Sequence, residues 1–466
     1  MEARNQSKTV LLISCYELGH QPAGVFMPAG FLRRAGRSVE ALDVSVEGFD
    51  EERIKRAHFI GISVPMHTAL RLGVRVAEAV RRINTECHIC FYGLYAALNA
   101  DYLLDTVADF IIGGEVEQSL VTLIEAVDKN EPVNINGVRT KMHSSLPVLA
   151  RLNFAAPDRS ALPPLERYAR LEREGREQLV GYVEASRGCL HYCTHCPIPP
   201  VYGGRFFVVD KEIVLEDIRN LVSAGARHIT FGDPDFLNGP THSLRIARAM
   251  RAEFPELTFD FTAKIEHIIK HRALMPELAK LGCIFVVSAV ESLSDTVLAH
   301  LEKGHTRADV VEALGILNDA GIALRPSFVA FTPWTTIDDY VEMLEFVESN
   351  NLIYHVDPVQ YSIRLLVPPG SLLLSRPDTA EWIGRLNQET FTYEWQHSDA
   401  RMDELHREVT AIVEQAARRN EDAAVTFYRI LELAYQVCGD EKAFRSAPQL
   451  APLRLRPPRL TEAWFC

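Results

Sequence analysis

Two runs of alternating strand and helix patterns constrain the fold of this chain more than any other feature. In the first 130 residues, five short apolar runs are separated by stretches with helical spacing. The strand candidates are Val10 to Ser14, Val39 to Leu42, Phe59 to Val64, His88 to Tyr92 and Phe110 to Ile112. Because strands that alternate with helices form parallel sheets covered on both faces, we predict a five-stranded α/β domain over residues 1–130.

The stretches between these runs place apolar residues on one helix face. Two sets recur at the 3.6-residue period, namely Leu70, Val74, Ala77 and Val80, and Leu120, Leu123, Ile124 and Val127. Glycines such as Gly93 and Gly113 stand at element ends, where a turn or a close backbone approach favours a residue without a Cβ. The first domain is therefore expected to be Rossmann-like.

A second run of the same alternation begins at Leu179. Residues 131–178 are rich in proline and charge and are predicted to be a linker. Six strand candidates follow: Leu179 to Ala185, His228 to Phe231, Leu257 to Ala263, Ile284 to Val290, Ala323 to Phe331 and His355 to Tyr361. Six strand–helix units predict a partial (βα)6 barrel of the TIM type over residues 179–372, with its chemistry at the carboxyl ends of the strands.

The pattern becomes helical beyond Ser371. Apolar residues at helical spacing are Leu405, Val409, Ile412 and Val413, followed by Phe427, Ile430, Leu431, Leu433 and Ala434. We expect a helical C-terminal region over residues 373–448 and an irregular, proline-rich tail over residues 449–466. A length of 466 residues suits this division, since single cores stop growing at roughly 250–300 residues.

Composition limits the partners and the compartment. With 49 Lys and Arg against 62 Asp and Glu, the net charge of −13 argues against a nucleic-acid surface. No apolar stretch approaches the roughly 18 residues of a membrane span, and the run Val10 to Ile13 is too short for a signal peptide. We therefore expect a cytoplasmic protein that acts on a small molecule and does not contact a membrane.

Three of the nine cysteines are clustered directly after the first barrel strand, at Cys189, Cys193 and Cys196. An odd number of cysteines without secretory features favours a metal or redox use over disulfides. Thiolates are soft ligands, and three of them leave one iron of a four-iron cluster without a protein ligand. The alternative is structural zinc, which usually takes four ligands; no second cysteine pair follows, although His191 and His195 lie inside the same loop.

The Cys-x3-Cys-x2-Cys loop after the first strand of a six-unit barrel resembles the radical S-adenosylmethionine (radical SAM) superfamily, over about Leu179 to Pro368. The resemblance implies a [4Fe-4S] cluster held by Cys189, Cys193 and Cys196, with its open iron chelated by S-adenosylmethionine. It also implies reductive cleavage of the sulfonium bond to a 5'-deoxyadenosyl radical, with electrons from a reductant such as flavodoxin or ferredoxin.

The same resemblance assigns contacts to S-adenosylmethionine. His195 takes the position that usually carries an aromatic residue against the adenine. Gly232 and Asp233 lie where the family binds the methionyl amino group, and Asp233 alternatively serves as a turn carboxylate. Glu291 resembles the contact to the ribose or the amino acid. Arg325 suits the methionyl carboxylate, or alternatively forms an ion pair between elements.

A five-stranded parallel domain before such a barrel resembles the cobalamin-binding domain of the cobalamin-dependent radical SAM branch. Candidate cobalamin contacts follow the third, fourth and fifth strands, at Ser63, Pro65, Tyr92, Gly93, Gly113 and Gly114. The loop from Glu17 to Gly24 departs from the Asp-x-His-x-x-Gly motif that donates a histidine to cobalt. We therefore expect no histidine ligand from this loop, with His20 and His67 as ordinary polar residues. Alternatively, the domain is a degenerate module that binds nothing or mediates contacts.

The chain ends in an aromatic segment that finishes at Cys466. This ending resembles radical SAM proteins of the cobalamin type whose tail runs Cys-Sec-Ala-Glu-Pro or Cys-Cys-Ala-Glu-Pro. The resemblance implies a redox-active tail that continues through a selenocysteine codon. The alternative is a natural terminus at which the cysteine has no special role.

Together the two domains imply a C-methyltransferase that acts on an unreactive carbon of a small molecule or a natural-product precursor. Rearrangement and cyclisation are further outcomes known for this branch. A tRNA methylthiotransferase is the alternative enzyme, although Cys15, Cys87 and Cys90 do not reproduce its additional cysteine triad. The alternative without catalysis is an iron-sulfur electron carrier or sensor.

Overall fold

The computed structural model, described over residues 8–439 and 456–462, begins with a parallel sheet. Its strands are β1 (Thr9–Ser14), β2 (Val39–Asp43), β3 (Ala57–Ser63), β4 (His88–Tyr92), β5 (Phe110–Ile112) and β6 (Val138–Arg139). They lie in the order β2-β1-β3-β4-β5-β6, and only the β5–β6 pair is antiparallel. The five predicted strands are confirmed, and β6 comes from the stretch expected to be a linker.

Helices cover both faces of this sheet. They are α1 (Ala23–Arg34), α2 (Val44–Glu47), α3 (Glu51–Arg56), α4 (His67–Ile83), α5 (Leu94–Leu98), α6 (Ala100–Thr106) and α7 (Glu117–Lys129). Side chains alternate along β1, so Leu12 packs in the core shared with α1 and α7, whereas Leu11 and Ile13 pack in the core shared with α3, α4 and α6. Both predicted apolar helix faces are buried, in α4 and α7.

The chain between the two sheets packs along the first domain. Phe154 is buried with its ring edge against Phe31, and the Asp158 amide donates to the Phe26 carbonyl at 3.0 Å. A Cβ at Gly30 would lie 2.2 Å from the Ala156 carbonyl oxygen, so the chain crosses α1 where no side chain intervenes. This close packing fixes the route from the first sheet to the second.

The second sheet is a half-barrel. Its strands are β7 (Arg170–Arg173), β8 (Arg176–Val183), β11 (His228–Phe231), β12 (Thr258–Thr262), β13 (Cys283–Glu291), β14 (Ala323–Phe328) and β17 (Arg459–Leu460), in the order β14-β13-β12-β11-β8-β7-β17. Strands β8, β11, β12, β13 and β14 are parallel neighbours, and the β7–β8 hairpin adds an antiparallel edge. A separate pair, β9 (Ser186–Gly188) and β10 (Phe206–Val208), lies beyond β8.

The barrel helices are α8 (Ile198–Tyr202), α9 (Lys211–Ser223), α10 (Pro240–Glu253), α11 (Ile265–Lys270), α12 (Met275–Lys280), α13 (Asp295–His300), α14 (Arg307–Ala320) and α15 (Ile337–Ser349). Asp210 caps α9, because its side chain accepts from the Glu212 amide. Capping boxes begin α14 and α15, at Thr306 and Thr336.

The sixth barrel strand expected at His355 to Tyr361 is not formed. Pro358–Ser362 is instead a 3-10 helix, and a single parallel bridge between Phe331 and Arg364 continues the sheet. Proline cannot donate to a strand ladder, which explains why Pro358 begins a turn. The barrel therefore has five parallel strands in the described residues.

The region beyond Ser371 is helical only in its second half. It begins with 3-10 turns and a hairpin of β15 (Ile383–Asn387) and β16 (Thr392–Trp395), which corrects the expectation of helices from residue 373. The two predicted helices follow as α16 (Ala400–Arg419) and α17 (Ala423–Cys438), which pack on each other and, through α17, on α15. Over the described residues, no helix combines the length and the apolar character needed to cross a membrane.

Candidate active site between the two sheets

The carboxyl ends of the two parallel sheets open on one cavity of about 450 Å³. Residues after β3 and β4 line it from the first sheet, and residues after β8 and β11 line it from the half-barrel. Open α/β sheets and TIM-type barrels both bind ligands at this edge. The cavity is therefore the candidate active site.

The predicted cysteine loop leaves the half-barrel at this edge, directly after β9. Gly188 precedes Cys189 with φ +73°, and a Cβ there would lie 2.3 Å from the Arg205 carbonyl oxygen. Thr194 anchors the middle of the loop, because its amide donates to the Leu301 carbonyl at 3.1 Å and its hydroxyl to the His300 carbonyl at 2.9 Å. The loop is thus held between β9 and the turn after α13, and sequence reasoning did not single out Thr194.

The three cysteines are free thiols on this loop. Cys193 is buried, and Cys189 and Cys196 are partly exposed. Burial, the largest cause, raises the pKa of Cys196 to about 12, and the neighbouring Cys193 and Cys189 raise it further. The Asn238 side chain donates to the Cys189 sulfur at 3.6 Å. Three sulfurs that interact with one another, with no disulfide between them, fit the donor set of an iron-sulfur cluster.

The two histidines inside the loop are engaged with other residues. The His191 Nε2 lies 3.2 Å from the His267 Nε2, and its Nδ1 lies 3.0 Å from the Lys264 ammonium. Asp235 lies 2.8 Å from the other nitrogen of His267. His191, Asp235 and His267 lie close enough together to be considered as metal ligands. However, Asp235 faces Nδ1 of His267, whereas His191 faces Nε2 on the other side of the ring. Because the two residues contact different nitrogens, we interpret the group as a chain of polar contacts and not as the ligands of one ion.

The buried residues Glu291 and Lys303 form a triad with the partly buried His195 beside the cysteines. One Glu291 carboxylate oxygen lies 3.2 Å from the His195 Nε2 and accepts from the Lys303 ammonium at 3.1 Å. Burial alone would raise the pKa of Glu291, but Lys303 and His195 outweigh it and hold that pKa well below its usual range. The structure thus brings together His195 and Glu291, two predicted S-adenosylmethionine contacts. No pattern in the sequence indicated Lys303.

Glu291 has a left-handed backbone, with φ +65°. The pairing of β13 with β14 is interrupted between Ala289 and Glu291, and the Glu291 carbonyl accepts from the Val329 amide at 2.8 Å. A non-glycine residue in this region is strained and requires support from its surroundings. The irregularity turns the carboxylate toward Lys303 at the strand end.

Gly232 and Asp233 line the cavity after β11. Asp233 is buried, and its carboxylate accepts from the Ala185 amide at 3.0 Å and from the Ser186 hydroxyl. Burial raises the pKa of Asp233 to about 7. A Cβ at Gly232 would lie 2.0 Å from the Tyr182 ring, so glycine leaves room for that ring. Asp233 therefore holds the start of the β9 segment that leads into the cysteine loop.

Arg325 also lines the cavity, from β14 inside the half-barrel. Its Nη2 donates to Asp357 at 2.9 Å, so the ion pair that the sequence left open is present. The other terminal nitrogen, Nη1, is buried without a hydrogen-bond partner among the described residues. His195 and Glu291 do not line this cavity, so Arg325 faces a different space from these two predicted S-adenosylmethionine contacts.

Five of the six candidate cobalamin contacts line the cavity: Ser63, Pro65, Tyr92, Gly93 and Gly114. Gly113 instead packs near Ala97 and Pro147, 2.8 Å and 3.2 Å from the position of a Cβ. The Tyr92 hydroxyl donates to the Gly24 carbonyl at 2.5 Å. A Cβ at Gly24 would lie 1.8 Å from the Ser63 hydroxyl oxygen, so glycine is required for the start of α1 to pack against the end of β3.

Glu17, in the loop after β1, binds backbone amides at the start of α1. The sequence did not indicate this role. The Glu17 carboxylate accepts from the Ala23 amide at 2.8 Å and from the Gly24 amide at 3.3 Å, and so caps α1. Burial, followed by the nearby Glu184, raises the pKa of Glu17 to about 8. His20 lines the cavity and stacks on Tyr182.

The other histidine singled out in this domain, His67, lies outside the cavity lining. Its Nε2 contacts the Thr390 carbonyl at 2.5 Å. Cys466 lies outside the described residues, so the redox-tail prediction is not examined by the structure.

Arg187 joins the two domains at the cavity. Its guanidinium lies 2.6 Å from Glu117, 3.3 Å from Glu115 and 2.9 Å from Glu184. Tyr202 donates to the other Glu115 oxygen at 2.9 Å. These residues are widely separated in the sequence, and no spacing pattern there could have indicated this network.

Comparison with protein families gives two matches in order along the chain. Residues 9–124 match the model of the B12 binding domain, and residues 183–347 match that of the radical SAM superfamily. The matched ranges lie inside the first α/β domain and the half-barrel.

Curated relatives match over part of their length. A putative methylthiotransferase of Methanocaldococcus jannaschii is 26% identical over 228 residues, which are 44% of this chain and 47% of that protein. The hopanoid C-3 methylase of Methylococcus capsulatus is 23% identical over 324 residues, 67% of this chain and 62% of that protein. The chain spans less than two thirds of the length of either relative.

Two solved structures share the fold. The cobalamin-dependent S-adenosylmethionine radical enzyme OxsB with aqua-cobalamin bound has a TM-score of 0.71 at 16% identity, covering 92% of this chain and 73% of that one. The radical S-adenosylmethionine methyltransferase TsrM from Kitasatospora setae, with cobalamin and a [4Fe-4S] cluster bound, has a TM-score of 0.59 at 17% identity, covering 74% and 70%.

Proposed function

Because this chain carries a B12-binding domain followed by a radical SAM domain, we propose that it is a cobalamin-dependent radical SAM enzyme that methylates an unreactive carbon of a small molecule. One observation carries the proposal. The cysteine loop begins at Gly188, and Gly188 lines the same cavity as Ser63, Tyr92 and Gly93 of the first sheet. The proposed cluster site adjoins this cavity, because Cys189 directly follows Gly188 in the chain.

The proposed cluster ligands are Cys189, Cys193 and Cys196. When bound, the cluster, S-adenosylmethionine and cobalamin supply reductive cleavage of a sulfonium bond and a transferable methyl group. Lys303 is buried, and its positive charge interacts with the Cys193 and Cys196 thiols as well as with Glu291. A fixed cation at this position stabilises thiolates, which are the form that binds iron.

The proposed S-adenosylmethionine contacts come from three places. His195 and Glu291 form a preorganised polar pair beside the cysteines, and the Lys303 contact keeps Glu291 ionised. Asp233 fixes the backbone at Ala185 and Ser186, so it orients the loop in addition to any ligand contact. Ionised carboxylates accept hydrogen bonds from hydroxyl and ammonium groups, which are the groups of a ribose and a methionyl amine.

The proposed cobalamin contacts lie on the carboxyl edge of the first sheet. Gly24 and Gly93 let the backbone pack closely at this edge, because a Cβ would lie 1.8 Å from the Ser63 hydroxyl oxygen at Gly24 and 3.2 Å from the Val64 carbonyl oxygen at Gly93. Glu17 lies in the loop after β1 and accepts from two backbone amides there. Because this loop departs from the histidine-donating motif, we propose that it would supply no histidine ligand to a bound cobalamin.

Relatives support a methyl transfer. The hopanoid C-3 methylase is a methylase by name, and TsrM is a methyltransferase. We therefore place methylation ahead of rearrangement or cyclisation. The proposed partners are a small-molecule substrate and a one-electron reductant.

A methylthiotransferase is the second candidate, because such an enzyme is among the relatives. Its additional cysteine triad is not reproduced. Cys15, Cys87 and Cys90 are buried in the two cores of the first domain, and burial raises the pKa of Cys15 and of Cys87 to about 12. Side chains packed in this way do not form a metal-binding loop.

Anaerobic reconstitution tests the proposal. The protein is loaded with iron, sulfide and hydroxocobalamin, reduced, and supplied with S-adenosylmethionine. We expect 5'-deoxyadenosine and a protein-bound corrin spectrum. The Cys193→Ala variant is expected to keep the corrin and to lose cluster iron and 5'-deoxyadenosine. A wild-type protein that holds iron but forms no 5'-deoxyadenosine would favour the electron carrier or sensor and overturn the proposal.

A further inference from the structure

A C-terminal strap, residues 456–462, lies against the half-barrel next to the cavity. Its strand β17 pairs antiparallel with β7, and Leu460 lies opposite Leu171. Beyond the strand, the Thr461 amide donates to the Arg170 carbonyl and the Arg170 amide to the Thr461 hydroxyl, both at 2.8 Å. Leu460 packs against a small apolar cluster that includes Leu171, Val180 and Phe285. These contacts fix where the next residue, Glu462, is placed.

Glu462 extends from the strap into the cavity. Its Cα and Cβ lie 3.5 Å and 3.4 Å from the position of a Cβ on Gly19, in the loop after β1. Its carboxylate lies 3.8 Å from the His20 Nε2, too far for a hydrogen bond. Within the described residues its carboxylate has no hydrogen-bond partner. The strap thus presents, between the two domains, a carboxyl group whose near neighbour is the His20 ring and which accepts no hydrogen bond within the described residues.

The surroundings of Glu462 are acidic. Asp357, Arg325 and Asp260 act on it electrostatically. The other charged and titratable side chains that line the cavity are Glu17, His20, Tyr92, Glu117, Tyr182, Glu184, Arg187, Tyr202, Asp233 and His355. Asp260 accepts from Thr230 and pairs with His228, and Asp357 accepts from Arg325. Burial, followed by Asp357, raises the pKa of Glu462 to about 8, although Arg325 opposes the shift. Burial lowers the pKa of His20 to about 4, so His20 supplies no positive charge at neutral pH.

Arg325 gives an independent sign of a ligand. Its side chain is only 9% exposed, and its Nη1 has no hydrogen-bond partner among the described residues. Buried donors in native proteins are almost always satisfied by protein, water or ligand. An oxygen acceptor in this cavity would complete the hydrogen bonding of the guanidinium, in the same cavity as a carboxyl group that has no hydrogen-bonded cation among the described residues.

We propose that Glu462 binds a cationic group of the substrate, an ammonium or a guanidinium, and that Arg325 Nη1 donates to an oxygen of the same ligand. This assignment rests on the proposed function, because it makes this part of the cavity the substrate pocket. The strap is then a specificity element. A cation beside Glu462 would also interact favourably with the carboxylates of Asp260 and Asp357, both of which act on Glu462.

Binding of small probes to the reconstituted holoprotein tests the assignment. The probes are 4-aminobutanoate and butanoate, which differ in the ammonium group, and binding is followed by ligand-observed NMR. We expect 4-aminobutanoate to bind at least tenfold more tightly than butanoate. Glu462→Gln is expected to remove that difference. Glu432→Gln, the same change on the exposed face of α17, is expected to leave it unchanged.

The pH dependence adds a second readout. Glu462 must lose its proton to pair with an ammonium, so affinity for 4-aminobutanoate should rise between pH 6.5 and 9 in the wild type. It should stay flat in Glu462→Gln. Equal binding of the two probes, or affinities that Glu462→Gln leaves unchanged, would overturn the proposal.

S-adenosylmethionine also carries an ammonium and a carboxylate, so its binding is measured on the same variants. A Glu462→Gln loss of S-adenosylmethionine affinity equal to the loss for 4-aminobutanoate would assign the cation to the cosubstrate and overturn the substrate assignment. Corrin absorbance and 5'-deoxyadenosine formation in the wild type report on the proposed function separately. If both are present and the probes do not respond to Glu462, only the strap assignment fails.

Discussion

At the scale of single residues, Glu291 makes several of the polar contacts at the carboxyl edge of the barrel. It combines a left-handed backbone with an ion pair to Lys303 and a contact to His195. The sequence predicted Glu291 and His195 as site residues through a family resemblance. It did not indicate Lys303, because a lysine twelve residues further along becomes a partner only through the turn after α13.

Replacing Lys303 by methionine removes the charge and keeps most of the volume. Glu291 would then be buried without its main counter-charge, and breaking a buried pair in this way costs about 3–5 kcal/mol. We expect Lys303→Met to lower the free energy of unfolding by an amount in this range and to weaken S-adenosylmethionine binding by about tenfold or more. Chemical denaturation and equilibrium binding measure the two effects. Lys303→Arg, which keeps the charge, should recover part of the stability and part of the S-adenosylmethionine affinity.

Glu17 gives a prediction about pH. Its pKa is raised to about 8 in the fold, from about 4.3 in an unfolded chain. The folded state therefore binds more protons between these values, and stability from this group falls as the pH rises from about 4.3 to 8. We expect Glu17→Gln, which stays neutral, to become progressively more stable than the wild type over this interval, by up to a few kcal/mol. Urea denaturation at pH 5 and pH 8.5 measures the change, and an equal difference at both values would contradict it.

At the scale of elements, the three-residue strand β9 positions the cysteine loop, because the loop follows it directly. The alternation of apolar runs located β1 to β5 and the five parallel barrel strands, because such strands are buried on both faces and read as short apolar runs. The pattern could not locate β9, β10 or β17. These strands are only two or three residues long, and partners distant in the sequence stabilise them.

Gly188 and Gly175 form a matched pair that tests the role of β9. Both have φ +73°, but a Cβ at Gly188 would meet the Arg205 carbonyl oxygen, whereas nothing lies within 4 Å at Gly175. We expect Gly175→Ala to cost about 1 kcal/mol of stability and to keep the cluster. Gly188→Ala is expected to displace the loop and to lose most of the cluster iron. Iron content and melting temperature distinguish these effects, and full iron in Gly188→Ala would show that β9 does not set the loop.

At the scale of the whole molecule, buried charges connect the two domains across the cavity. Arg187 from the barrel faces Glu115 and Glu117 from the first domain. Sequence reasoning predicted two neighbouring domains and their ligand-binding edges, but not how the edges meet. That arrangement depends on the packing of residues 140–169 and on ion pairs that have no signature in a single sequence.

Removing Arg187 tests this connection. Arg187→Met leaves buried carboxylates without their counter-charge, so we expect a loss of about 3–5 kcal/mol and weaker corrin binding. The control is Arg219→Met, which breaks an exposed pair with Glu253 and should change stability by less than about 1 kcal/mol. Denaturation and corrin titration measure both variants. Equal effects of the two changes would mean that the domains do not depend on Arg187.

Electron paramagnetic resonance of the holoprotein tests most directly that the cysteine loop and the first sheet serve one cavity. The protein is loaded with a reduced cluster and with cob(II)alamin, both of which are paramagnetic. We predict that each signal is broadened or split by the other, and that Cys193→Ala, which keeps only the corrin, returns the cobalt signal to its isolated form. A spectrum equal to the sum of two independent signals would contradict a shared site.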